Sequence, residues 1–429
     1  MQILVNLNLS NLNDSVKLSF HKIFFTIMIT QYKHLVHSTK HFENLNIQAD
    51  FEYKHQHILS LEAFERANKE ITTWDNYEPT PLHFFPDMAK DAGVSSIAYK
   101  DENFRFSLKS FKALGGAYAV ANLLIKKLKD IGITASSKDL IAGTYKHETS
   151  KITVCCATDG NHGRSVAWGS LHFGCNCEIY IHRNVSVGRE EAIAKYGAQV
   201  NRIKGNYDDS VRLAAEVADR NDYMVVSDTS YEGYTDIPKD VMQGYTVMVD
   251  ESLKQLDEMP THVFLQGGVG GFPAAVVSFI VESLEFPPIF VMVEPTNADC
   301  LFQSAVNEKP TVIHGDLDTI MAGLACGEVS LLAWSILESY VPHFMSITDE
   351  SIPKVMQLLA NRDKPIVAGE SAVTGLAGFL IACNDSDLKE KLSINESSKI
   401  LFFGTEGDTD ETMYEELVGR SSSEVLRGI

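Results

Sequence analysis

The stretch His262-Val263-Phe264-Leu265-Gln266-Gly267-Gly268-Val269-Gly270-Gly271 decides how this chain is read. An apolar strand runs straight into five residues of which four are glycine. Residues 273–284 then read as a helix, and residues 289–293 as the next strand. Glycines lack a Cβ, so consecutive backbone amides can converge, and the helix that follows points its positive end at the same spot. This order predicts a phosphate cradle at the carboxyl end of a parallel sheet. A tight connection with no ligand is the plain alternative. A dinucleotide-binding loop is a sharper one, because Glu294 ends the next strand where a ribose-binding acid would stand. Against it, Pro273 occupies the position where that fingerprint wants Gly or Ala for close helix packing. A lone phosphate fits better.

The same rhythm runs through the preceding sequence. Residues 151–157, 178–181, 199–203 and 223–226 read as strands, with helices at 163–173, 188–196 and 208–220 between them. Residues 399–403 form one more strand, running into Gly404-Thr405-Glu406-Gly407, and the acidic tail after Asp408 reads as a surface helix. Alternation with short connections predicts an α/β fold, its mainly parallel sheets flanked by helices. At 429 residues the chain exceeds one ordinary core, so two domains are expected.

Hydrophobic residues make up 45% and charged residues 22%, the composition of a globular protein. A formal net charge of -20 repels phosphate backbones and anionic lipid, which argues against nucleic acid and membrane as partners. It leaves room for one local basic pocket. The seven cysteines include no CxxC pair and no histidine at ligand spacing, so neither a disulfide framework nor a metal site is expected. A reducing, cytoplasmic compartment follows. The apolar run at residues 23–29 is too short to span a bilayer and lacks a small-residue cleavage site. Residues 1–40 carry no clear period and read as an extension outside the core.

Three further stretches carry candidate chemistry. Lys112 stands in Ser110-Phe111-Lys112-Ala113-Leu114-Gly115-Gly116, ahead of an apolar helix at 118–128. A helix N-terminus disfavours added positive charge, which predicts a neutral amine able to attack a carbonyl. A lysine at a helix start is ordinarily solvated surface, and neighbouring Lys109 is the internal control. Thr158-Asp159-Gly160-Asn161-His162-Gly163 follows a strand, where open α/β sheets bind ligands. Asn161 can donate to a phenolate oxygen and Asp159 can accept a proton; an Asx turn is the plain reading. Asp228 offers another carboxylate at a strand end, with helix capping as its plain role.

Taken together, these stretches resemble the fold-type II pyridoxal-phosphate family, which includes threonine and serine dehydratases and the tryptophan synthase β chain. The shared order is a lysine before Gly-Gly, a G-N-H-G turn, a glycine-rich loop and a polar residue late in the chain, over residues 75–415. Within that family the diaminopropionate ammonia-lyases are most similar. The blocks carrying this are Arg105-Phe106 with residues 111–116, Ala157 to Arg164, Glu232-Gly233-Tyr234-Thr235-Asp236-Ile237-Pro238, Met242-Gln243-Gly244-Tyr245, residues 319–328, Gly369-Glu370-Ser371 and residues 405–410. Asp159 is the informative position, because many dehydratases carry Ser there. Residues 143–151 look like a small insertion, and Gly-Gly-Val-Gly-Gly stands where Ala-Gly-Val-Gly is expected.

The resemblance implies conversion of 2,3-diaminopropionate to pyruvate and two ammonia, with a serine/threonine dehydratase as the alternative. It implies pyridoxal 5'-phosphate joined to Lys112 and held by Gly267, Gly268, Val269, Gly270 and Gly271. Asn161 would serve the ring oxygen and Thr405 the ring nitrogen. Lys112 and Asp159 would take the α-proton from opposite faces, for opposite enantiomers, while Asp228 attends the β-ammonium. A homodimer is implied, with a large domain of residues 41–115 and 247–429 and a small one of 116–246.

Overall fold

The computed structural model describes residues 38–48, 52–158, 160–205 and 207–428. Its eleven described strands form two sheets. The larger contains β1 (Lys40–Glu43), β2 (Leu82–Phe84) and β3 (Ser96–Asp101) from the first part of the chain. The smaller is built from β4 (Thr153–Ala157), β5 (Asn176–Ile181), β6 (Gln199–Arg202) and β7 (Met224–Val225). The chain then returns to the larger sheet with β8 (His262–Gln266), β9 (Ile289–Pro295), β10 (His343–Ile347) and β11 (Lys399–Gly404).

The small sheet has the order β6-β5-β4-β7 and is parallel throughout. The large sheet has the order β1-β10-β9-β8-β11-β3-β2. Its five central strands are parallel, and short antiparallel strands close both edges. The central strands bury both faces, which is why they read as unbroken apolar runs. Val263 and Leu265 of β8, with Leu401 and Phe403 of β11, enter one core. Phe264, Ile400 and Phe402 enter the other.

Two long helices, Lys112–Asp130 and Asp236–Gln255, connect the sheets. The expected domain boundaries at 115/116 and 246/247 therefore run through helix interiors. The Lys112 helix also begins earlier than the apolar pattern suggested, because glycine is tolerated where helices must touch. A Cβ on Gly116 would stand 2.3 Å from Ser165 Oγ, in the helix Asn161–Phe173. One on Gly115 would stand 2.5 Å from the Val241 carbonyl oxygen, and one on Gly244 2.1 Å from that of Leu114. A Cβ at any of these crossings would force a neighbour to shift.

Several boundaries move for similar local reasons. The helix after the glycine loop is Gly271–Ser283, with Pro273 in its first turn, where a missing N–H costs nothing. The C-terminal segment is two short helices, Glu411–Val418 and Ser422–Arg427, rather than one surface helix. Tyr414, Val418 and Val425 bury themselves against the large sheet's core. No described helix is long and apolar enough to cross a membrane.

Gly244→Ala is expected to destabilise the protein by about 1–3 kcal/mol, because its Cβ would meet backbone that cannot rotate away. Gly188→Ala, where an added Cβ meets nothing within 4 Å, should hold or raise the unfolding midpoint. Thermal unfolding of both variants decides the point.

Candidate active site

Lys112 opens its helix, with Phe111 at the N-cap position, and its backbone carbonyl receives a 2.7 Å hydrogen bond from Ser165 Oγ. The segment before it is held firmly. Arg105 is buried, donating to Glu102 (2.9 Å from both Nε and Nη2) and to Glu251 (2.9 and 2.8 Å). Lys100 adds a 2.7 Å bond to Glu251, which lies on the second connecting helix. Phe106, Ser107 and Lys109 then take φ values of 49°, 58° and 55°, a left-handed backbone unfavourable for residues with a side chain. The buried charges pin the strap that aims Lys112.

The Lys112 amine does not sit unpaired at the helix end. Its Nζ donates to Asp228 Oδ2 at 2.6 Å, beyond the end of β7. Burial alone would lower the amine's pKa, but the Asp228 carboxylate outweighs it and holds the group well above the usual lysine range. Asp228 is correspondingly held below the usual carboxylate range by Lys112, with His162 helping. The expected neutral amine is thus corrected to an ammonium clasped by a carboxylate. Lys109 turns away, donating to Asp408 at 2.8 Å and Glu411 at 3.1 Å. The two lysines are separated by their partners.

The glycine loop runs beneath the same pocket. Gly267 does not contribute to the cradle, because its amide donates to Val293 at 3.0 Å and continues the sheet. Among the described residues, the amides of Gly268, Val269, Gly270 and Gly271 find no protein acceptor. Gly270 takes φ 98°, a left-handed turn at the start of the Gly271–Ser283 helix, and all four residues line one pocket. Glu294 is fully buried and accepts from the amides of Leu301 (3.0 Å) and Phe302 (2.7 Å). It caps the helix Cys300–Val306 and is closed to a ribose, so the dinucleotide alternative loses its acid. Cys300 and Cys326 both lie close to Gly268 and are not joined in a disulfide.

Asn161 is the first residue of its helix, and its Nδ2 donates to Glu406. An amide nitrogen has two hydrogens, so one remains for a ligand oxygen. His162 is buried beside Asp228, with Nε2 2.7 Å from the Val226 carbonyl. Asp159 lies outside the described residues. Thr405 stands at the carboxyl end of β11, and its hydroxyl oxygen accepts from Gln266 Nε2 at 2.8 Å. That bond leaves the Thr405 hydrogen to donate outward, toward a lone pair such as a pyridine nitrogen. Lys112, Asn161, Asp228, Gly268 to Gly271 and Thr405 all line one pocket. An aldehyde-bearing ring with a phosphate arm matches this set: an amine, unpaired amides at a helix start, and two ring-facing donors.

The structure also brings in residues that the sequence reading left without a role. Arg189, from the small-sheet side, reaches Glu370 at 2.9 Å and Asp410 at 3.5 Å, across from the large sheet. Burial and neighbouring Glu406 push the Glu370 carboxyl up to about 7, against the pull of Arg189. Gln266 was visible only as a polar end to an apolar strand. Glu406 was visible only as an acid following Thr405, since its partner Asn161 is 245 positions away.

A family model described as pyridoxal-phosphate dependent enzyme matches residues 73–405. The chain is 40% identical over 357 residues to the diaminopropionate ammonia-lyase of Escherichia coli (strain K12), an alignment spanning 80% of this chain and 87% of that protein. The crystal structure of Escherichia coli diaminopropionate ammonia lyase in complex with D-serine superposes with a TM-score of 0.81 at 34% identity, covering 89% of this chain and 96% of that one. Its complex with an aminoacrylate-PLP azomethine reaction intermediate gives 0.79 at 35% identity, with the same coverage. With that fold, that pocket and these likenesses, the chain belongs to the pyridoxal-phosphate dependent enzyme family and, within it, to the diaminopropionate ammonia-lyases.

Proposed function

We infer that this chain is a pyridoxal-phosphate-dependent carbon–nitrogen lyase that converts 2,3-diaminopropionate to pyruvate and two ammonia. The observation that carries the reading is the Lys112–Asp228 pair beside unpaired glycine-loop amides, in a chain of this family. Bound pyridoxal phosphate supplies the electron sink for the charge left at Cα. The protein supplies orientation and proton management.

In this reading Lys112 is the covalent anchor of the cofactor, and the amides of Gly268 to Gly271 hold its phosphate. Asn161 donates to the ring oxygen. Thr405, oriented by Gln266, would donate to the ring nitrogen, a neutral partner that would not require that nitrogen to be protonated. Lys112 removes the α-proton from one face and Asp159 from the other, which assigns one enantiomer to each. Asp228, already placed to clasp an ammonium, holds the substrate's β-ammonium as it leaves. Water then converts the released enamine acid to pyruvate and the second ammonia.

The reading extends to a homodimer acting in the cytoplasm, on the strength of the family resemblance. It takes residues 41–115 and 247–429 as the cofactor-binding domain and 116–246 as the small domain. Its partner is a small amino acid, and a net charge of -20 supports the exclusion of nucleic acid and anionic membrane.

Lys112→Ala is expected to abolish the visible-range absorption of the covalently held cofactor, while Lys109→Ala keeps it; the reverse result rejects the anchor. Asp159→Asn should slow turnover of one diaminopropionate enantiomer by about 10²–10⁴-fold and spare the other, as loss of a general base would. Pyruvate formation from each enantiomer measures this, and an equal loss on both removes Asp159 as a stereospecific base. Faster consumption of serine or threonine than of diaminopropionate would establish the dehydratase reading instead.

A further inference from the structure

His162 is buried, and among the described residues one of its two ring nitrogens has a hydrogen-bond partner. Nε2 lies 2.7 Å from the Val226 carbonyl oxygen, which can only accept, so Nε2 carries the ring hydrogen. Nδ1 is therefore the lone-pair nitrogen. Among the described residues it has no hydrogen-bond partner, and it stands 3.8 Å from Asp228 Oδ2. That same oxygen receives Lys112 Nζ at 2.6 Å. A lone pair facing a carboxylate oxygen gains nothing from the arrangement. Once the carboxylate takes up a proton and the two groups close by about 1 Å, that lone pair gains a hydrogen bond.

Lys112, however, cannot act while it remains an ammonium. We propose that Lys112, Asp228 and His162 form a proton relay in which His162 Nδ1 stabilises the proton that Lys112 must give up. The N–H bond at Lys112 Nζ breaks, an O–H bond forms at Asp228 Oδ2, and that hydrogen points to His162 Nδ1. The cation and the anion vanish together, so the buried site keeps the same net charge and the proton stays out of bulk water. His162 acts through Asp228 and is a positioning residue. Burial lowers the pKa of the imidazole and Lys112 adds to this, against the pull of Asp228, which keeps the ring neutral and accepting.

The groups facing this chain do not replace it. Cys156, on β4, and Tyr245, on the Asp236–Gln255 helix, are both pushed well above neutrality by burial. Cys326, on the loop before the helix Leu331–Tyr340, also faces Lys112.

The proposal rests on Lys112 as the cofactor's anchor, and cofactor uptake separates the two ideas. Full-length protein freed of cofactor is mixed with pyridoxal phosphate, and the rise of visible absorption is followed from pH 7 to pH 10. His162→Met and His162→Phe, which lack an acceptor, should take it up at least about tenfold more slowly at pH 7. Their deficit should shrink toward pH 10, where hydroxide removes the lysine proton. His162→Gln, whose amide can donate to Val226 and accept from Asp228, should recover most of the rate. Uptake by Met and Phe variants at the wild-type rate overturns the relay. So does a deficit of equal size at pH 7 and pH 10, the mark of a merely structural loss, or a Gln variant no better than Met. The Met variant, with its flexible side chain, decides the matter if the Phe variant does not fold. Unchanged uptake by Lys112→Ala would instead reject the anchor itself.

Discussion

The placement of Lys112 depends on how closely three helices approach one another. The Lys112–Asp130 helix lies against Asn161–Phe173 on one side and Asp236–Gln255 on the other, and glycine occupies the contact points on both. Such contact is intolerant: where a Cβ would stand 2.1 Å from a carbonyl oxygen, only backbone movement could admit it. The cation pair Lys100 and Arg105 with the anion pair Glu102 and Glu251 adds a second restraint. Buried clusters like this contribute little net stability, but removing one member costs about 3–5 kcal/mol because a charge is stranded. Their effect here is geometric. They tie the strap before Lys112 to the helix that leads from the small sheet to the large one.

A magnitude decides the state of the lysine. A helix N-terminus disfavours a nearby cation by about 0.3–1 kcal/mol, and at most about 2. A carboxylate oxygen 2.6 Å from the ammonium attracts it by about 6 kcal/mol at an effective dielectric near 20. The ion pair wins. Reasoning from helix position alone pointed to a neutral amine because Asp228 lies 116 residues further on, where no local pattern reveals it.

The same distinction separates what the sequence made legible from what it did not. The strand at 262–266 was readable to the residue, since a largely apolar run between Pro260-Thr261 and a glycine loop admits little else. The family was readable from blocks in order. By contrast, Gly267 looked equivalent to its neighbours, yet its amide is spent on Val293 and the cradle starts one residue later. Glu294 looked placed for a ribose, yet it caps a short helix from within the core. Arg189 sat in an ordinary amphipathic helix, and only the fold sets it against Glu370 and Asp410. In each case the deciding fact is a partner far away in the chain. Propensity and periodicity encode faces; they do not encode who stands opposite.

Substrate choice can be argued from charge in the same way. Asp228 and Glu406 line the pocket, with Glu370 close behind, against the cations Lys112 and Arg189. An amino acid such as serine brings one ammonium and one carboxylate and is neutral overall. A diamino acid can bring a second ammonium, and its extra charge finds carboxylates already desolvated. Asp228 is the one that already holds an ammonium. When Lys112 engages the cofactor, Asp228 loses the cation beside it and, in the proposed relay, holds the proton in its place. A second substrate amine that takes the vacated place can receive that proton, so the ammonium–carboxylate pair forms again and binding this amine favours the release of Lys112. A hydroxyl in that position restores a hydrogen bond but not the charge. On the proposed reading, elimination at this site acts on a cation.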